Sequence, residues 1–304
     1  MIKEFPSYLE INLTNLGKNY NYLNEISQKN TKTGAVVKTD AYGLGAVRVC
    51  KYLQSLGCND FFVSATGEAL ELREHIHGAN IYIFTGVTKE DIAEIGYYGF
   101  IPVINNLEQL EIVLRYQKHL EICLKFNTGM NRLGFRESEV DQVKEKLADA
   151  KHLKVKYIMS HLGNAEESDD PRNKDQLDRF NHVLNAFPGI PGSFSNSSGI
   201  LLGSKYRYQL TRPGAYLYGI CMTEGETNQQ KTVVSKYAEV VHKYVADKHD
   251  QVSYSNTHEI EPGTKVLVVR IGYADGYMRR NGNHAYMYST PHRLPVIGNV
   301  TMDM

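Results

Sequence analysis

Ala35-Val36-Val37-Lys38-Thr39-Asp40-Ala41-Tyr42-Gly43-Leu44-Gly45-Ala46 is the stretch on which the reading of this chain turns. It opens with an apolar run too short for a helix, ends that run on a lysine, and leads through two glycines into the amphipathic stretch Ala46 to Leu56. Such a texture reads as strand, tight turn and helix. A lysine at the end of a buried strand can have its amine desolvated, which lowers its pKa and makes it a nucleophile toward an aldehyde. The glycines let the backbone turn sharply after it. Gly43-x-Gly45 is not a dinucleotide fingerprint, because Arg48 stands where the third glycine belongs.

The same unit recurs along the chain. Eight short apolar runs, rich in Val, Ile, Phe and Tyr, cover Thr33 to Lys38, Asp60 to Ala65, Asn80 to Gly86, Phe100 to Asn105, Leu120 to Asn127, Leu153 to His161, Gly192 to Ser197 and Tyr208 to Arg212. Between them lie helical stretches: Gly67 to Ile76, Glu90 to Tyr98, Leu107 to Tyr116, Glu137 to Ala148 and Lys174 to Phe187, with Thr66 and Asn106 as capping residues. Eight alternating units predict an α/β fold, a (β/α)8 TIM-type barrel. A doubly wound open sheet shares the local pattern; the count favours the barrel. After about Gly219 the texture changes to a polar run, Thr223 to Thr232, and then to alternating runs such as Tyr237 to Val245 and Lys265 to Arg270. This predicts a barrel over residues 8–230 and a mainly β C-terminal domain over 231–304, to which the alternating Tyr8 to Leu13, within residues 1–13, is a candidate contributor.

Composition excludes several classes. Lys plus Arg and Asp plus Glu both number 34, so there is no basic excess to suggest a nucleic-acid partner. With 42% apolar and 22% charged residues the chain reads as globular. No apolar run is long enough to span a membrane, and the N-terminal Met1 to Pro6 lacks the apolar core of a signal peptide. The expected location is the cytoplasm. Cys50, Cys58, Cys123 and Cys221 form no Cys-x-x-Cys pair and no metal cluster, so they read as reduced thiols and no metal is expected. Three glycosylation triplets, at Asn12, Asn196 and Asn299, read as chance matches.

In such a barrel, chemistry gathers at the C-terminal ends of the strands. Those positions hold Lys38 at the end of the first run, Arg132 in the loop after the fifth, His161 at the end of the sixth, Asn196-Ser197 at the end of the seventh and Arg212 at the end of the eighth. Singly, each has a bland explanation: a solvent lysine, a satisfied core histidine, surface arginines, a loop hydroxyl. Together they describe an anion-binding mouth with an amine nucleophile.

The opening segment resembles the cofactor-lysine signature of the alanine racemase family. Other segments are similar to that family in order and spacing: Lys125 to Gly134, Ser160-His161, Asn196-Ser197-Ser198, Arg212-Pro213-Gly214-Ala215 with Tyr218-Gly219, Ile271 to Gly276 and Thr301-Met302-Asp303. The resemblance covers essentially the whole chain. It implies that Lys38 carries pyridoxal 5'-phosphate through its amine. It also implies that L- and D-alanine are interconverted by two bases, Lys38 on one face of the α-carbon and Tyr273 on the other. Unperturbed pKa values of about 10 for Tyr and about 10.4 for Lys mean that both need help near neutral pH. A positive neighbour, from His161 or Arg212, would favour tyrosinate.

The resemblance further implies that Arg212 meets the cofactor's ring nitrogen and leaves it unprotonated. It assigns the phosphate to Tyr42, Ser197, Gly214 and Ala215, and the substrate carboxylate to Arg132 with the backbone around Met302. Lys125, in a position where the family's lysine can be carbamylated, and Asp303 are supporting residues. A homodimer with composite active sites, Tyr273 and Met302 reaching the partner's cofactor, is also implied, as is a role in supplying D-alanine for cell-wall synthesis.

The chain departs from the pattern in places. Asn131 stands where glycine is usual, Leu44 where histidine is common and Ala215 where a larger aliphatic residue is common. It stops at Met304, whereas family members usually continue with another tyrosine that touches the phosphate. The β domain therefore reads as truncated. Rival readings are a racemase of another amino acid such as serine, a decarboxylase on the same barrel, and a non-catalytic or inactive cofactor-binding fragment. Arg212 and Tyr273 argue against the decarboxylase, and Tyr273 with Met302-Asp303 against the binding protein.

Overall fold

The computed structural model of the chain describes residues 7–27, 30–220 and 229–304. They form two compact units, Asn12–Val233 and the segment ending at Ile11 with Val234–Met304. β1 (Ser7–Ile11) belongs to the latter. The alternating run ends at Ile11 because Asn12 caps a helix, Leu13–Ile26, its Oδ1 accepting from the Asn15 amide at 2.9 Å. That helix was not among the predicted ones. Its signal is Leu16, Tyr20 and Leu23, buried at helical spacing behind an asparagine cap.

The Asn12–Val233 unit contains β2 (Lys32–Thr33), β3 (Ala35–Val36), β4 (Asp60–Val63), β5 (Asn80–Ile83), β6 (Ile101–Ile104), β7 (Leu120–Lys125), β8 (Leu153–Met159), β9 (Gly192–Ser193) and β10 (Leu210–Thr211). β3 to β9 form a seven-stranded parallel sheet in chain order, and β10 pairs in parallel with β2. Main-chain bonds from Gln209 N to Gly192 O (3.1 Å) and from Arg212 N to Ser195 O (3.0 Å) join the β9 and β10 segments. Bonds from Gly34 N to Thr211 O (3.0 Å) and from Val36 N to Pro213 O (2.9 Å) join β10 to the first strand. The ring is thereby closed as a barrel, and the open-sheet alternative, which leaves unpaired edges, does not hold. The predicted first strand is split at Gly34, where the chains approach so closely that a Cβ would lie 2.8 Å from the Asp60 carbonyl oxygen.

Helices Ala46–Ser55, Thr66–Arg73, Ile92–Tyr98, Leu107–Arg115, Val140–Leu147 and Pro171–Asn185 alternate with the strands. Asn106 caps its helix through the Gln109 amide, at 2.9 Å. Thr66 does not act as a cap: Ala65 holds that position, and the Thr66 hydroxyl instead bonds Asp91 at 2.6 Å. Phe62, Tyr82, Val103, Cys123 and Met159 meet in the barrel core, with Phe62 and Tyr82 stacked at 4.5 Å. At the strand starts, Asp60 Oδ1 accepts from Asn80 Nδ2 and Tyr82 Oη, both at 2.8 Å. This end is closed by structural polar contacts.

In the other unit, β1 pairs antiparallel with β11 (Val234–Ala238). β12 (Val240–Val245), β13 (Asp250–Val252), β14 (His258–Ile260), β15 (Lys265–Val269), β16 (Tyr286–Ser289) and β17 (His292–Pro295) complete it as antiparallel pairs, β12 with β15, β13 with β14 and β16 with β17. Ala246, Ile260 and Val266 form its small core. Cys50, Cys58 and Cys123 are buried free thiols; Cys221 and most of the polar run from Thr223 lie outside the described residues.

Candidate active site

A cavity of about 400 Å³ opens at the C-terminal ends of the barrel strands, and Lys38, Tyr42, Lys125, Arg132, His161, Ser197, Arg212, Gly214 and Ala215 all line it. These residues come from five separate stretches of sequence. The other unit has a larger, mainly aliphatic cavity of about 580 Å³, but it gathers no amine nucleophile with convergent arginines, so it is not the candidate.

Lys38 is held by an unusual piece of backbone. Thr39, Asp40, Ala41 and Tyr42 have φ values of 54°, 52°, 54° and 58°, a left-handed turn made without glycine. Such a conformation costs about 1–2 kcal/mol per residue, and several bonds offset that cost. Ala41 N donates to Val37 O at 2.9 Å and Gly45 N to Asp40 O at 3.0 Å. Asp40 Oδ1 accepts from Ala46 N at 2.6 Å. Glu68, three residues into its helix, accepts from Thr39 N at 2.7 Å and from Ser64 N at 2.6 Å. Glu68 thus ties the residue after Lys38 to the end of β4. It was not predicted, though a glutamate in a first helical turn is a recognisable capping signal.

The turn brings Tyr42 against Tyr218, ring centroids 4.6 Å apart, and burial raises the Tyr42 phenol's pKa, keeping it a hydrogen-bond donor. A Cβ on Gly214 would stand 2.4 Å from Tyr42 Oη, so a side chain there would push the Tyr42 hydroxyl aside. The Ser197 hydroxyl accepts from Gly214 N at 2.9 Å and Tyr216 N at 3.2 Å. Both its lone pairs are then engaged and its proton is left to donate outward. The Gly214 amide, expected to face an anion directly, instead orients this hydroxyl.

Arg212 is 3% exposed. Its guanidinium donates to Ser193 Oγ, to the Ser160 carbonyl at 2.5 Å and to the Phe194 carbonyl at 3.3 Å. Burial lowers its pKa to about 10, which leaves it charged at neutral pH. Lys125, the last residue of β7, is pushed down to about 8, first by burial and then by Arg212, Arg132 and Lys38. His161 is driven well below its ordinary value by burial and the same cations with Lys125. It is therefore neutral near pH 7. The expectation that it supplies positive charge is corrected: a protonated imidazole is disfavoured among so many cations, and Arg212 is the charge that remains. Gln176, buried on helix Pro171–Asn185, accepts from Gly163 N at 2.9 Å and donates to the His161 carbonyl at 3.1 Å, fixing the loop after β8.

Among the described residues lining the cavity, Lys38, Lys125, Arg132 and Arg212 are basic and Glu166 alone is acidic. Such a site attracts anions, and its desolvated part strengthens the attraction. No group of three or more His, Cys, Asp or Glu among the described residues could hold a metal.

Tyr273, Met302 and Asp303 lie in the other unit, where the structure brings their two motifs together. Tyr273 N donates to Thr301 O and Ala274 N to Met302 O, each at 3.0 Å. A Cβ on Gly272 would lie 2.4 Å from Asp303 N, so that glycine permits the contact. Gly272 N also donates to Asp275 Oδ2 at 3.0 Å. Tyr273 and Met302 are 46% and 59% exposed as residues; they are presented rather than packed away.

Comparison with known proteins covers nearly the whole chain. The family described as alanine racemase, N-terminal domain, matches residues 11–222, and the one described as alanine racemase, C-terminal domain, matches 233–304. The alanine racemase of Rickettsia canadensis is 37% identical over 301 residues, spanning 97% of this chain and 83% of that protein. The catabolic alanine racemase of Rhizobium johnstonii is 36% identical over 301 residues, 97% of this chain and 80% of that one. The crystal structure of alanine racemase from Bartonella henselae, with covalently bound pyridoxal phosphate, superposes with a TM-score of 0.91 at 30% identity, covering 98% of this chain and 84% of that one.

Proposed function

The chain belongs to the alanine racemase family of isomerases, and from that premise we propose that it interconverts L- and D-alanine with pyridoxal 5'-phosphate held on Lys38. The observation that carries this reading is the convergence of Lys38, Tyr42, Ser197, Arg212 and Gly214 on one cavity, where cations and outward-facing donors meet. The donor set fits the cofactor. The Ser197 hydroxyl is turned outward by two amides, Tyr42 stands against the bare Cα of Gly214, and Ala215 adjoins them, a cluster suited to a phosphate. Buried Arg212, which donates to the neutral oxygens of Ser193, Ser160 and Phe194, suits the cofactor's ring, with His161 beside it.

When bound, pyridoxal phosphate supplies an electron-accepting ring that makes the α-proton of an attached amino acid acidic. The rest is the work of the chain's own groups. Lys38 Nζ takes or returns the α-proton on one face, and Tyr273 Oη does so on the other. Arg132 binds the substrate carboxylate through its planar fork, with the backbone near Met302. Lys125, with a pKa near 8, has an appreciable neutral fraction at pH 7–8. That amine can add to carbon dioxide, forming an N–C bond and releasing a proton. The resulting carbamate, with Asp303 as a further supporting residue, would offset the cation cluster and orient Arg132. We also propose a homodimer in which Tyr273 and Met302 serve the partner's cavity, a barrel domain ending near residue 230 with a β domain over 231–304 to which the N-terminal strand contributes, a cytoplasmic location, and supply of D-alanine for cell-wall synthesis. Among the described residues no helix is long and apolar enough to cross a membrane.

The test is interconversion of L- and D-alanine by the purified chain with added pyridoxal phosphate, read by chiral separation. Racemisation of alanine is expected. Racemisation of serine in preference would change the substrate, and a cofactor-loaded chain inert toward both would overturn the assignment.

A further inference from the structure

Arg132 rides on a loop whose neck is closed by main-chain bonds: Asn127 N donates to Phe135 O and Phe135 N to Lys125 O, each at 2.8 Å. Gly134 makes this closure possible, since a Cβ there would lie 2.7 Å from Asn127 N. Thr128 anchors one side of the loop through a buried contact of 2.8 Å with the Ser160 hydroxyl. None of these three bonds reaches Arg132 itself, which is exposed. The tip is closed by two side chains. Asn127 Oδ1 accepts from Gly129 N at 3.1 Å and Asn131 N at 2.9 Å, and Asn127 Nδ2 donates to Asn131 Oδ1 at 2.9 Å. Two amide donors facing one oxygen fix which way the Asn127 amide points. Asn131 has φ 55°, a left-handed value that asparagine tolerates better than most residues.

We propose that Asn127 and Asn131 are positioning residues: their side-chain pair holds the loop tip in one shape and so presents Arg132 to the substrate carboxylate. The inference rests on the reading of Arg132 as the carboxylate's partner. An arginine on an unordered tip loses conformational freedom when substrate binds, and that cost appears in affinity, not in proton transfer. The pair is a matched set, because Asn127 spends both acceptor sites on the loop backbone and one donor on Asn131.

The experiment measures KM and kcat for alanine in the cofactor-loaded enzyme, and amide hydrogen exchange at Gly129 and Asn131. Asn127→Ala is expected to raise KM about tenfold with kcat within about twofold, and to speed exchange at those two amides. Asn131→Gly keeps the left-handed backbone but removes the partner, and is expected to raise KM about threefold. The double variant is expected to be no worse than Asn127→Ala alone, because both changes break one contact. Asn127→Asp, which retains both acceptor bonds, is expected to recover most of the affinity. Arg132→Ala is the reference. If it raises KM while the asparagine variants do not, the positioning role is overturned and the reading of Arg132 stands. If Arg132→Ala leaves KM unchanged, the reading of Arg132 itself fails. Should Asn127→Ala not fold, an unchanged KM in Asn131→Gly overturns the proposal.

Discussion

The two units hold their functional side chains in opposite ways. In the barrel unit, β4 and β6 are buried along their whole length, and Arg212 and Lys125 are immersed in the same interior. Their geometry is over-determined by neighbours from distant parts of the chain. In the β unit, all six residues of β12 are exposed, the strands associate in pairs, and Tyr273 is fixed by its backbone while its ring stands open. The contrast is that one unit builds a cavity from its own residues, whereas the other presents exposed side chains on a fixed backbone.

The largest effect that sharpens this contrast is expected from Lys38→Ala. Retention of pyridoxal phosphate through gel filtration should be lost, and racemisation should fall by at least about a thousandfold. A variant that keeps both would break the assignment of Lys38. Tyr273→Phe should separate the units functionally: cofactor retention is expected to stay at the wild-type level while racemisation falls by about 10²–10⁴-fold. Equal loss of cofactor would mean that the β unit also builds the cofactor site.

Stability should divide in the same way. Phe62→Ala, in the barrel core, is expected to cost about 3–5 kcal/mol in urea unfolding. Val245→Ala, at a residue 58% exposed on β12, should cost no more than about 0.5 kcal/mol. A cost above about 2 kcal/mol at Val245 would show that this face is covered in solution, as a dimer could do.

A pH-dependent effect concerns Lys125. Its folded pKa of about 8 lies below its ordinary 10.5, so folding disfavours the protonated form. That penalty is complete below about pH 8 and disappears as pH rises through the unfolded value near 10.4, so stability increases with pH across this window. Lys125→Met is therefore expected to stabilise the apoprotein by about 1–3 kcal/mol at pH 7 and by little at pH 10.5. An advantage that does not shrink with pH would mean that the charge is not the cause.

Local pattern carried most of the fold. Short Val- and Ile-rich runs such as Asp60 to Ala65 and Leu120 to Asn127 are readable because strands buried on both faces are continuously apolar. Helices betrayed themselves by amphipathic spacing, as behind Asn106. The helix Leu13–Ile26 is hard to separate in sequence from the alternating strand that runs directly into its Asn12 cap, and the split at Gly34 is not encoded locally because close approach to Asp60 is a tertiary fact.

The candidate site was legible as a set of residue types at strand ends, since a barrel gathers those ends at one mouth. The sequence by itself determined that Lys38, Arg132, His161, Ser197 and Arg212 would meet, and that an anion and an amine chemistry would meet with them. Only the tertiary structure decided how each group is tuned. Lys125 falls to about 8 and His161 is neutral because residues up to 174 positions apart, from Lys38 to Arg212, are crowded into one desolvated space. Glu68 on the Thr39 amide, Ser197 oriented by Gly214 and Tyr216, and Asn127 paired with Asn131 are likewise matters of distance and direction. Hydrogen bonding and desolvation depend on ångströms in space, which no spacing along the chain encodes.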